Sequence, residues 1–378
     1  MLGIEPTEVE QLLVESVDRL VERDYPFELR RQAMQTELGF RPQIWSTFAE
    51  LGWLGLLAPE AVGGFGGGAR HCAILMEAFG RALVTEPYLA SVVMAGSAIH
   101  LASQETQAET LLAEMVAGSR RPSLAYAEPT SRYDVNVVNT RAERSQSGWR
   151  ISGRKSVVLN GDSADCFIVS ARSAGADSDE EGISLFTIDT GQEGVAVRGY
   201  ATNDGGRAAE VTFENVNVGT DALLGREGGA YAALEETIDR AAAAVAAESL
   251  GIMNVLNDLT LEYSKTRQQF GQPIGKNQAL QHRLVDMFVA LEESRSLLSV
   301  YMADVDSDDA TERRRAVSAM KIQIGKAGRL VGQEAIQLHG GIAMTDEYAA
   351  SHYFKRMTVI TRLFGDVDWH LDRFAALS

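Results

Sequence analysis

The sequence predicts an α+β protein in which a helical segment, a β segment and a second helical segment follow one another along 378 residues. Apolar residues recur at three- and four-residue steps over about residues 5–118, as they do in amphipathic helices. From 122 to 218 they alternate or form short β-branched runs, and the helical period returns near Tyr231. We therefore predict three domains, 1–118, 119–220 and 221–378, of which the last is a four-helix bundle.

The composition limits the compartment and the partners of the chain. With 45% hydrophobic residues the chain can bury a large core, and its N-terminal sequence has no continuous apolar run, so we expect neither a signal peptide nor a membrane span. Two cysteines, Cys72 and Cys166, form no disulfide framework and no metal-ligand spacing, which favours a cytoplasmic protein without a metal site. A formal charge of -17 argues against binding to nucleic acid or to anionic membranes, because both require a basic surface.

In the first segment, helical periods cover residues 9–24, 44–51, 72–82 and 111–116. The glycine-rich stretch 63–68 follows no predicted strand and lacks the Lys-Ser/Thr ending of a P-loop. We therefore expect a tightly turned loop there and not a phosphate cradle. In the second segment, the predicted strands include SVVL, CFIVSA, ISLFTI and VAVRGY, and the acidic stretch SAGADSDEEG between two of them is expected to be a solvated loop.

The third segment contains a short loop between two long helical periods, next to helices predicted at 241–250, 313–337 and after Asp366. The loop begins with Arg267 and Phe270 and continues with glycines and a proline that end the first helix. An ordinary helix–helix turn is one interpretation of it. A loop that brings a guanidinium and an aromatic ring to a bound group is the other.

The residues of this loop decide between the two interpretations. The stretch 267–287, RQQFGQPIGKNQALQHRLVDM, closely resembles the diagnostic segment of the acyl-CoA dehydrogenase superfamily, R-x-x-F-G-x-x-I-x-x-x-Q-x-x-x-x-x-x-A/V-D-M. The resemblance implies the acyl-CoA dehydrogenase fold, with an N-terminal helical domain, a central β-barrel or sandwich domain and a C-terminal four-helix bundle. It also implies an oligomer built from dimers, either a homotetramer or a heterotetramer.

The same resemblance implies FAD as the cofactor and assigns its contacts. Arg267 is expected to bind the pyrophosphate of the FAD in a neighbouring subunit, and Phe270 is expected to pack against the adenine end. The later segment EAIQLHGGIAM is expected to supply Gln337 and the backbone of Gly340 and Gly341. For the two glycines, a helix C-terminal cap is the alternative role, and both roles are compatible.

The β segment departs from the family pattern. Where the family shows T-E-P-x-A-G-S-D, residues 127–134 read AEPTSRYD, so the hydroxyl that reaches the flavin ring is missing at Ala127. Where the family shows K-x-W-I-T-N-G, residues 155–161 read KSVVLNG, so Val157 and Leu159 replace the two side chains that contact the ring. This combination most resembles the small-subunit type of pimeloyl-CoA dehydrogenase and related heteromeric degradative acyl-CoA dehydrogenases.

The catalytic base of the family is also absent from its usual places. Desaturation needs a carboxylate to remove the α proton, and most of the superfamily carries it as the Glu of Y-E-G-T. That position falls on Phe364 or on Gly365 here, and a second family placement falls on Ala241. Three acids remain near these positions, Asp239, Glu248 and Asp366.

The catalytic residue is therefore left unassigned, with Glu248 and Asp366 as weak candidates. A helix–helix ion pair is the favoured interpretation of Glu248, and an N-cap of the last helix is the alternative for Asp366. The resemblance predicts an FAD-dependent acyl-CoA dehydrogenase that desaturates a dicarboxyl, branched or ring-bearing acyl-CoA and passes electrons to an electron-transfer flavoprotein. The alternatives are a non-catalytic partner that completes the FAD site of a homologous large subunit or, with less support, a flavin monooxygenase or nitroalkane oxidase of the same fold.

Overall fold

The computed structural model describes residues 6–103 and 106–377, and it confirms the predicted order of a helical, a β and a second helical segment. Its contacts divide the chain into two compact units. The helical unit consists of Met1–Gln32, Gly68–Val84 and Ala242–Ser378, and the β unit consists of Ala33–Gly67 and Thr85–Ala241. The domain boundaries expected at 118/119 and 220/221 remain predictions.

The α-helices are α1 (Glu8–Asp24), α2 (Phe27–Met34), α3 (Pro42–Glu50), α4 (Ala69–Ala82), α5 (Ser97–Ala102), α6 (Thr106–Val116), α7 (Tyr231–Thr266), α8 (Gln278–Tyr301), α9 (Ala310–His339), α10 (Ala349–Ile360) and α11 (Val367–Ala376). A π-helix, Leu89–Gly96, precedes α5. The strands are β1 (Pro122–Ala125), β2 (Arg141–Arg144), β3 (Gly148–Leu159), β4 (Cys166–Arg172), β5 (Ile183–Asp189), β6 (Val195–Ala201), β7 (Arg207–Gly219), β8 (Leu223–Leu224), β9 (Gln268–Gln269) and β10 (Gln272–Pro273). Within the described residues, no helix is both long enough and apolar enough to cross a bilayer.

The sheet of the β unit has the strand order β6-β7-β3-β2-β4-β5-β8, with β1 paired in parallel to β4. All other pairs are antiparallel except β2 with β4, and the alternating apolar side chains meet in one core that includes Trp149, Phe167 and Phe186. The β3–β7 register shifts between Lys155 and Val158, which makes a β-bulge. A bulge turns one side chain away from its regular direction, so it decides which residues of 155–161 face the core.

The acidic stretch SAGADSDEEG connects β4 to β5, and its charged side chains are exposed as expected. Its backbone, however, is anchored by a buried side chain. The guanidinium of Arg172 donates to the carbonyl oxygens of Asp177, Asp179 and Glu181 at 3.1, 3.0 and 2.9 Å. These three hydrogen bonds compensate for the burial of the Arg172 guanidinium. They also hold the backbone of the loop in one conformation, although its charged side chains are in solvent.

The glycine-rich stretch 63–68 forms the expected turned loop. Its backbone N–H groups at Phe65 and Gly66 donate to the carbonyl oxygens of Gly55 and Ala58, at 2.9 and 2.8 Å. A Cβ at Gly64 would lie 2.1 Å from the oxygen of Ala58, so only glycine fits there. These N–H groups are bonded within the loop and do not form a phosphate cradle.

In the helical unit, α9 packs against α8, α10 and α11. Glycines on α9 allow α10 and α11 to come close, because a Cβ at Gly328 would lie 2.4 Å from the sulfur of Met357 and one at Gly325 would lie 2.3 Å from Val367. The loop 361–366 joins α10 to α11. Close packing on both of its flanks therefore fixes the ends of this loop.

Candidate functional site

The α7–α8 connection forms a small hairpin in which β9 pairs with β10. Arg267 begins it, with its N–H donating to Tyr263 O at 2.8 Å and its carbonyl accepting from the N–H of Ile274 at 2.9 Å. Phe270 adopts a left-handed conformation, with φ 52, and its relative accessible surface is 101%. Such a conformation is uncommon for a bulky residue. The hairpin thus presents Arg267 and Phe270 on the surface of the chain.

The other segment assigned to FAD lies at the C-terminal end of α9. Gly340 caps the helix with φ 66, and its N–H donates to Ile336 O. Apart from the adjoining residues of the chain, no atom of the described residues lies within 4 Å of the position that a Cβ would take at Gly340 or at Gly341. Gln337 is exposed one turn earlier. Gly340 therefore ends α9 as its C-cap, and the backbone of Gly340 and Gly341 also has free space beside it in which a ligand could lie.

A groove of about 470 Å³ between α9, α10 and α11 was not indicated by the sequence. Its lining includes three cationic side chains, Lys326, Arg329 and Arg362, together with the carboxylates of Asp366 and Asp368. Because Arg362 lies 3.8 Å from the carboxylate of Asp366, the charges of the lining nearly balance. No spacing in the sequence predicts the groove, because its lining comes from three helices that tertiary packing brings together.

The position that corresponds to the family base lies in the loop 361–366. Phe364 is buried with φ 59, and Gly365 has φ 107, where a Cβ would lie 2.5 Å from Nε2 of His370. The carbonyl of Phe364 accepts a hydrogen bond from Nε2 of His370 at 3.0 Å. Lys321 is buried below the loop, and its Nζ donates to the carbonyl oxygens of Ile360 and Leu363 at 2.9 and 2.7 Å. The loop backbone is therefore held by buried donors but carries no carboxylate at this position.

Burial changes the titration of both donors below this loop. It lowers the pKa of His370 to about 3, with further lowering from the nearby charges of Lys321 and Arg373. The ring is therefore neutral at pH 7, with its hydrogen on Nε2 and with Nδ1 accepting from the hydroxyl of Ser318 at 3.2 Å. Burial also lowers the pKa of Lys321 to about 7, so removal of its proton requires far less alkaline conditions than for an exposed lysine.

The two weak candidates for the base both have structural contacts. Glu248 is buried on α7 and forms a bidentate ion pair with Arg356 of α10, at 2.6 and 2.7 Å, which is the helix–helix pair favoured by the sequence. Asp366 is the N-cap of α11, where its Oδ1 accepts from the N–H of Trp369 at 3.1 Å. Ala241, at the second family placement, is fully buried and has no titratable group. Asp239 is also buried.

In the β unit, Glu128 and Lys155 form a buried ion pair with a distance of 2.7 Å. The Lys155 ammonium also donates to Ser170 Oγ at 3.0 Å, and Glu128 accepts from the N–H groups of Asn139 and Thr140 at 2.8 and 3.0 Å. Burial alone would raise the pKa of Glu128, but Lys155 and these donors outweigh it and hold that pKa at about 2. Burial lowers the pKa of Lys155 only to about 8, so both partners are charged at pH 7.

The positions assigned to flavin-ring contacts are adjacent to this pair. Ala127 precedes Glu128 and is half-buried, and Leu159 is half-buried at the end of β3. Val157 lies at the bulge with φ 51, and 49% of its surface is exposed. An exposed β-branched side chain in a left-handed conformation is unusual. The three positions therefore share an apolar character and offer no side-chain hydrogen bond to a ligand.

Comparison with known proteins identifies the family. Models of the acyl-CoA dehydrogenase N-terminal, middle and C-terminal domains match residues 7–119, 123–216 and 227–376. The chain is 32% identical over 371 residues to the acyl-CoA dehydrogenase IpdE2 of Mycolicibacterium smegmatis, covering 98% of this chain and 99% of that protein.

Two solved structures are similar over nearly their whole length. A variant of the Tcur3481-Tcur3483 steroid ACAD has a TM-score of 0.86 and 29% identity, covering 100% of this chain and 98% of that chain. The ChsE4-ChsE5 complex from Mycobacterium tuberculosis has a TM-score of 0.86 and 26% identity, covering 98% of this chain and 97% of that chain. The chain therefore belongs to the acyl-CoA dehydrogenase family of FAD-dependent oxidoreductases.

Proposed function

We propose that this chain is the subunit of a heteromeric acyl-CoA dehydrogenase that contributes contacts to a flavin site and takes its catalytic base from a homologous large subunit. The loop 361–366 carries the proposal, because the position that resembles the family base holds Phe364 or Gly365 and no carboxylate. The remaining candidates, Glu248 and Asp366, are engaged by Arg356 and by the N-terminus of α11.

The residues present fit the diphosphate part of FAD. Arg267 offers a planar fork of donors on an exposed hairpin, and Gly340 and Gly341 leave an open backbone. Arg267 and Phe270 are exposed in the single chain, which supports a contact to a flavin held by another subunit. When bound, FAD accepts the hydride that leaves the β carbon of an acyl-CoA thioester. In this chain, Arg267 would balance the diphosphate charge and Phe270 would cover the adenine end.

Association with another subunit is also supported by the surface of α8. Four of its large apolar side chains, Val285, Phe288, Val289 and Val300, have between 44% and 68% of their surface exposed. An exposed apolar row on one helix is typical of a subunit contact. The homologous ChsE4-ChsE5 structure is a complex of two different chains, which supports a heteromeric assembly here.

The substrate that we propose is a ring-bearing acyl-CoA, within the dicarboxyl, branched and ring-bearing classes that the sequence leaves open. The support is the steroid ACAD, to which this chain is similar over its whole length. An electron-transfer flavoprotein is the proposed electron acceptor.

Activity of the chain with and without its partner tests this function. The chain is purified alone and together with a homologous subunit that carries Y-E-G-T, and reduction of an artificial electron acceptor is followed with a ring-bearing acyl-CoA. Because loss of a base costs about 10²–10⁴-fold, we expect turnover by the isolated chain to be at least about 100-fold slower than by the complex. Turnover by the isolated chain that disappears in Glu248→Gln or Asp366→Asn, with FAD still bound, would identify a relocated base and contradict the proposal.

The colour of the preparations separates the alternatives. If the isolated chain is colourless and becomes yellow only with its partner, the result favours a non-catalytic structural partner that completes the FAD site of the large subunit. Oxygen consumption without any added electron acceptor would favour the monooxygenase or oxidase interpretation.

A further inference from the structure

We propose that His339 is a positioning residue for FAD binding, which holds the α7–α8 hairpin and the turn after α9 in one fixed arrangement. This inference rests on the proposed contacts of those two segments with the FAD diphosphate and adds a residue to them. His339 is the last residue of α9, and only 3% of its surface is exposed.

The ring of His339 contacts the rings of two tyrosines from other elements. Its centroid lies 4.6 Å from that of Tyr263 on α7 and 5.0 Å from that of Tyr348, which immediately precedes α10, with ring planes inclined by 32° and 54°. Its Nδ1 lies 2.8 Å from Ala335 O, so Nδ1 carries a hydrogen and donates it to this carbonyl. The hydrogen bond fixes the rotation of the ring, and the two tyrosines fix its plane.

Two of the three rings, those of Tyr263 and His339, belong to residues that adjoin segments proposed to bind FAD. Tyr263 lies one helical turn before Arg267, and its carbonyl accepts the N–H of Arg267 at 2.8 Å. On the other side, His339 directly precedes Gly340, whose left-handed conformation starts the open turn. A displacement of the His339 ring therefore moves the backbone of both segments, although the ring itself is buried and does not reach the surface.

Burial lowers the pKa of His339, so the ring is neutral at pH 7 and acts through packing and through its Nδ1 hydrogen. A histidine that only fills the interior would change the stability of the unit and nothing else. A positioning residue would change the affinity for FAD under conditions where the protein remains folded. That difference defines the experiment.

The experiment measures FAD binding to the assembled protein after its flavin has been removed. His339→Leu removes the ring stack and the hydrogen bond, whereas His339→Phe keeps an aromatic ring between the two tyrosines. His352→Leu is the matched control, because His352 is another buried histidine of the helical unit, 2% exposed and 4.9 Å from the ring of Phe27. Titration with FAD well below the unfolding temperature gives the dissociation constant of each variant.

Loss of two stacked pairs should raise the dissociation constant of His339→Leu for FAD roughly 10-fold, whereas His339→Phe should stay within about threefold of the unmodified protein. His352→Leu should bind FAD normally. Wild-type affinity of His339→Leu, or an equal loss in His352→Leu, would overturn the inference. If His339→Leu does not fold, Tyr263→Leu removes one stacked pair from a half-buried position and should weaken FAD binding while Tyr263→Phe does not.

Arg267→Ala, measured in parallel, separates this inference from the proposed function. If Arg267→Ala weakens FAD binding and His339→Leu does not, only the positioning role fails. If neither variant changes FAD binding, the assignment of the diphosphate contacts fails. A positioning role also requires that Arg267→Ala and His339→Leu combine less than additively, because the part of the His339→Leu effect that acts through Arg267 is lost once the guanidinium is gone.

Discussion

Two side chains of the β unit that match the acyl-CoA dehydrogenase pattern, Glu128 and Lys155, lie inside the structure, whereas the side chains of the helical unit that resemble its FAD contacts lie on the surface. Glu128 and Lys155 are 5% and 0% exposed and bonded to each other, while Phe270 is fully exposed and Arg267 and Gln337 are also exposed. The buried matches support the fold of their own unit. The exposed side chains are not packed in the core, which is consistent with the proposal that they contact FAD.

Three other positions of the β unit depart from the family pattern. Ala127, Val157 and Leu159 stand where the family pattern has side chains that contact the flavin ring, and all three are apolar. The scaffold of this unit therefore follows the family pattern while its ligand-facing side chains do not. In the helical unit the residues that we propose to contact the diphosphate follow the pattern, whereas Phe364 and Gly365, at the expected position of the base, do not.

The largest expected effect tests the buried half of the comparison. Lys155→Met leaves Glu128 buried without its cation, which we expect to reduce the free energy of unfolding by about 3–5 kcal/mol. Urea unfolding of the purified protein measures this loss. Arg154→Met on the same strand is the control, because Arg154 pairs with Glu210 on an exposed surface and should cost no more than about 1 kcal/mol. Equal losses in the two variants would mean that the buried pair is not a structural support.

The next effect tests the exposed half. Arg267→Ala should weaken FAD retention by roughly 1.5–3 kcal/mol, because it removes a charge-assisted hydrogen bond to the diphosphate. Arg267→Lys should restore only part of that loss, since an ammonium lacks the fork of donors. The flavin content after gel filtration measures both, and the unfolding midpoint of each flavin-free variant should remain that of the flavin-free parent. Unchanged flavin content in both variants would show that Arg267 does not bind the cofactor.

A smaller effect is expected from His370 in the helical unit, whose contribution to the free energy of unfolding depends on pH. The pKa of His370 is lowered from 6.5 to about 3 by burial, so the unfolded chain binds a proton in this range that the folded chain does not. Its contribution to stability is complete above pH 6.5 and is lost as the pH falls towards 3, with a slope of up to about 1.4 kcal/mol per pH unit.

His370→Gln removes this titration and keeps a side-chain N–H that can donate to the carbonyl of Phe364. The free energy of unfolding, measured between pH 6.5 and 3, should therefore decrease less steeply in His370→Gln than in the unmodified protein. Identical slopes would mean that the folded protein accepts the proton at His370 without opening the loop 361–366.

The smallest effect concerns the left-handed conformation of Phe270. Glycine adopts this conformation without strain, so Phe270→Gly should be more stable than Phe270→Ala by roughly 1 kcal/mol. Both variants should retain less FAD than the parent, because both lose the aromatic ring. Full FAD retention in both would remove Phe270 from the site, and equal stability would show that the hairpin relaxes in the single chain.

The positions of the long helices, of the four strands β3 to β6 and of the α7–α8 loop could be predicted from the sequence, because each depends on residues that are close together along the chain. The long strand β7 was not predicted. The same is true of the diagnostic segment, which is a property of individual positions. The π-helix Leu89–Gly96 and the short hairpin of β9 and β10 were not predicted, since no local pattern separates them from an α-helix or an irregular loop.

The sequence by itself thus determined the family, the order of the segments and the absence of a carboxylate at Phe364 and Gly365. Only the tertiary structure decided that Glu248 is held by Arg356, 108 residues away, and that Lys321 supports the carbonyl groups of a loop some 40 residues further on. It also decided that His339 lies between two tyrosines. Each of these contacts joins residues that are distant in sequence. Which residues meet depends on how the helices pack against one another, and the periodicity of the sequence does not determine that packing.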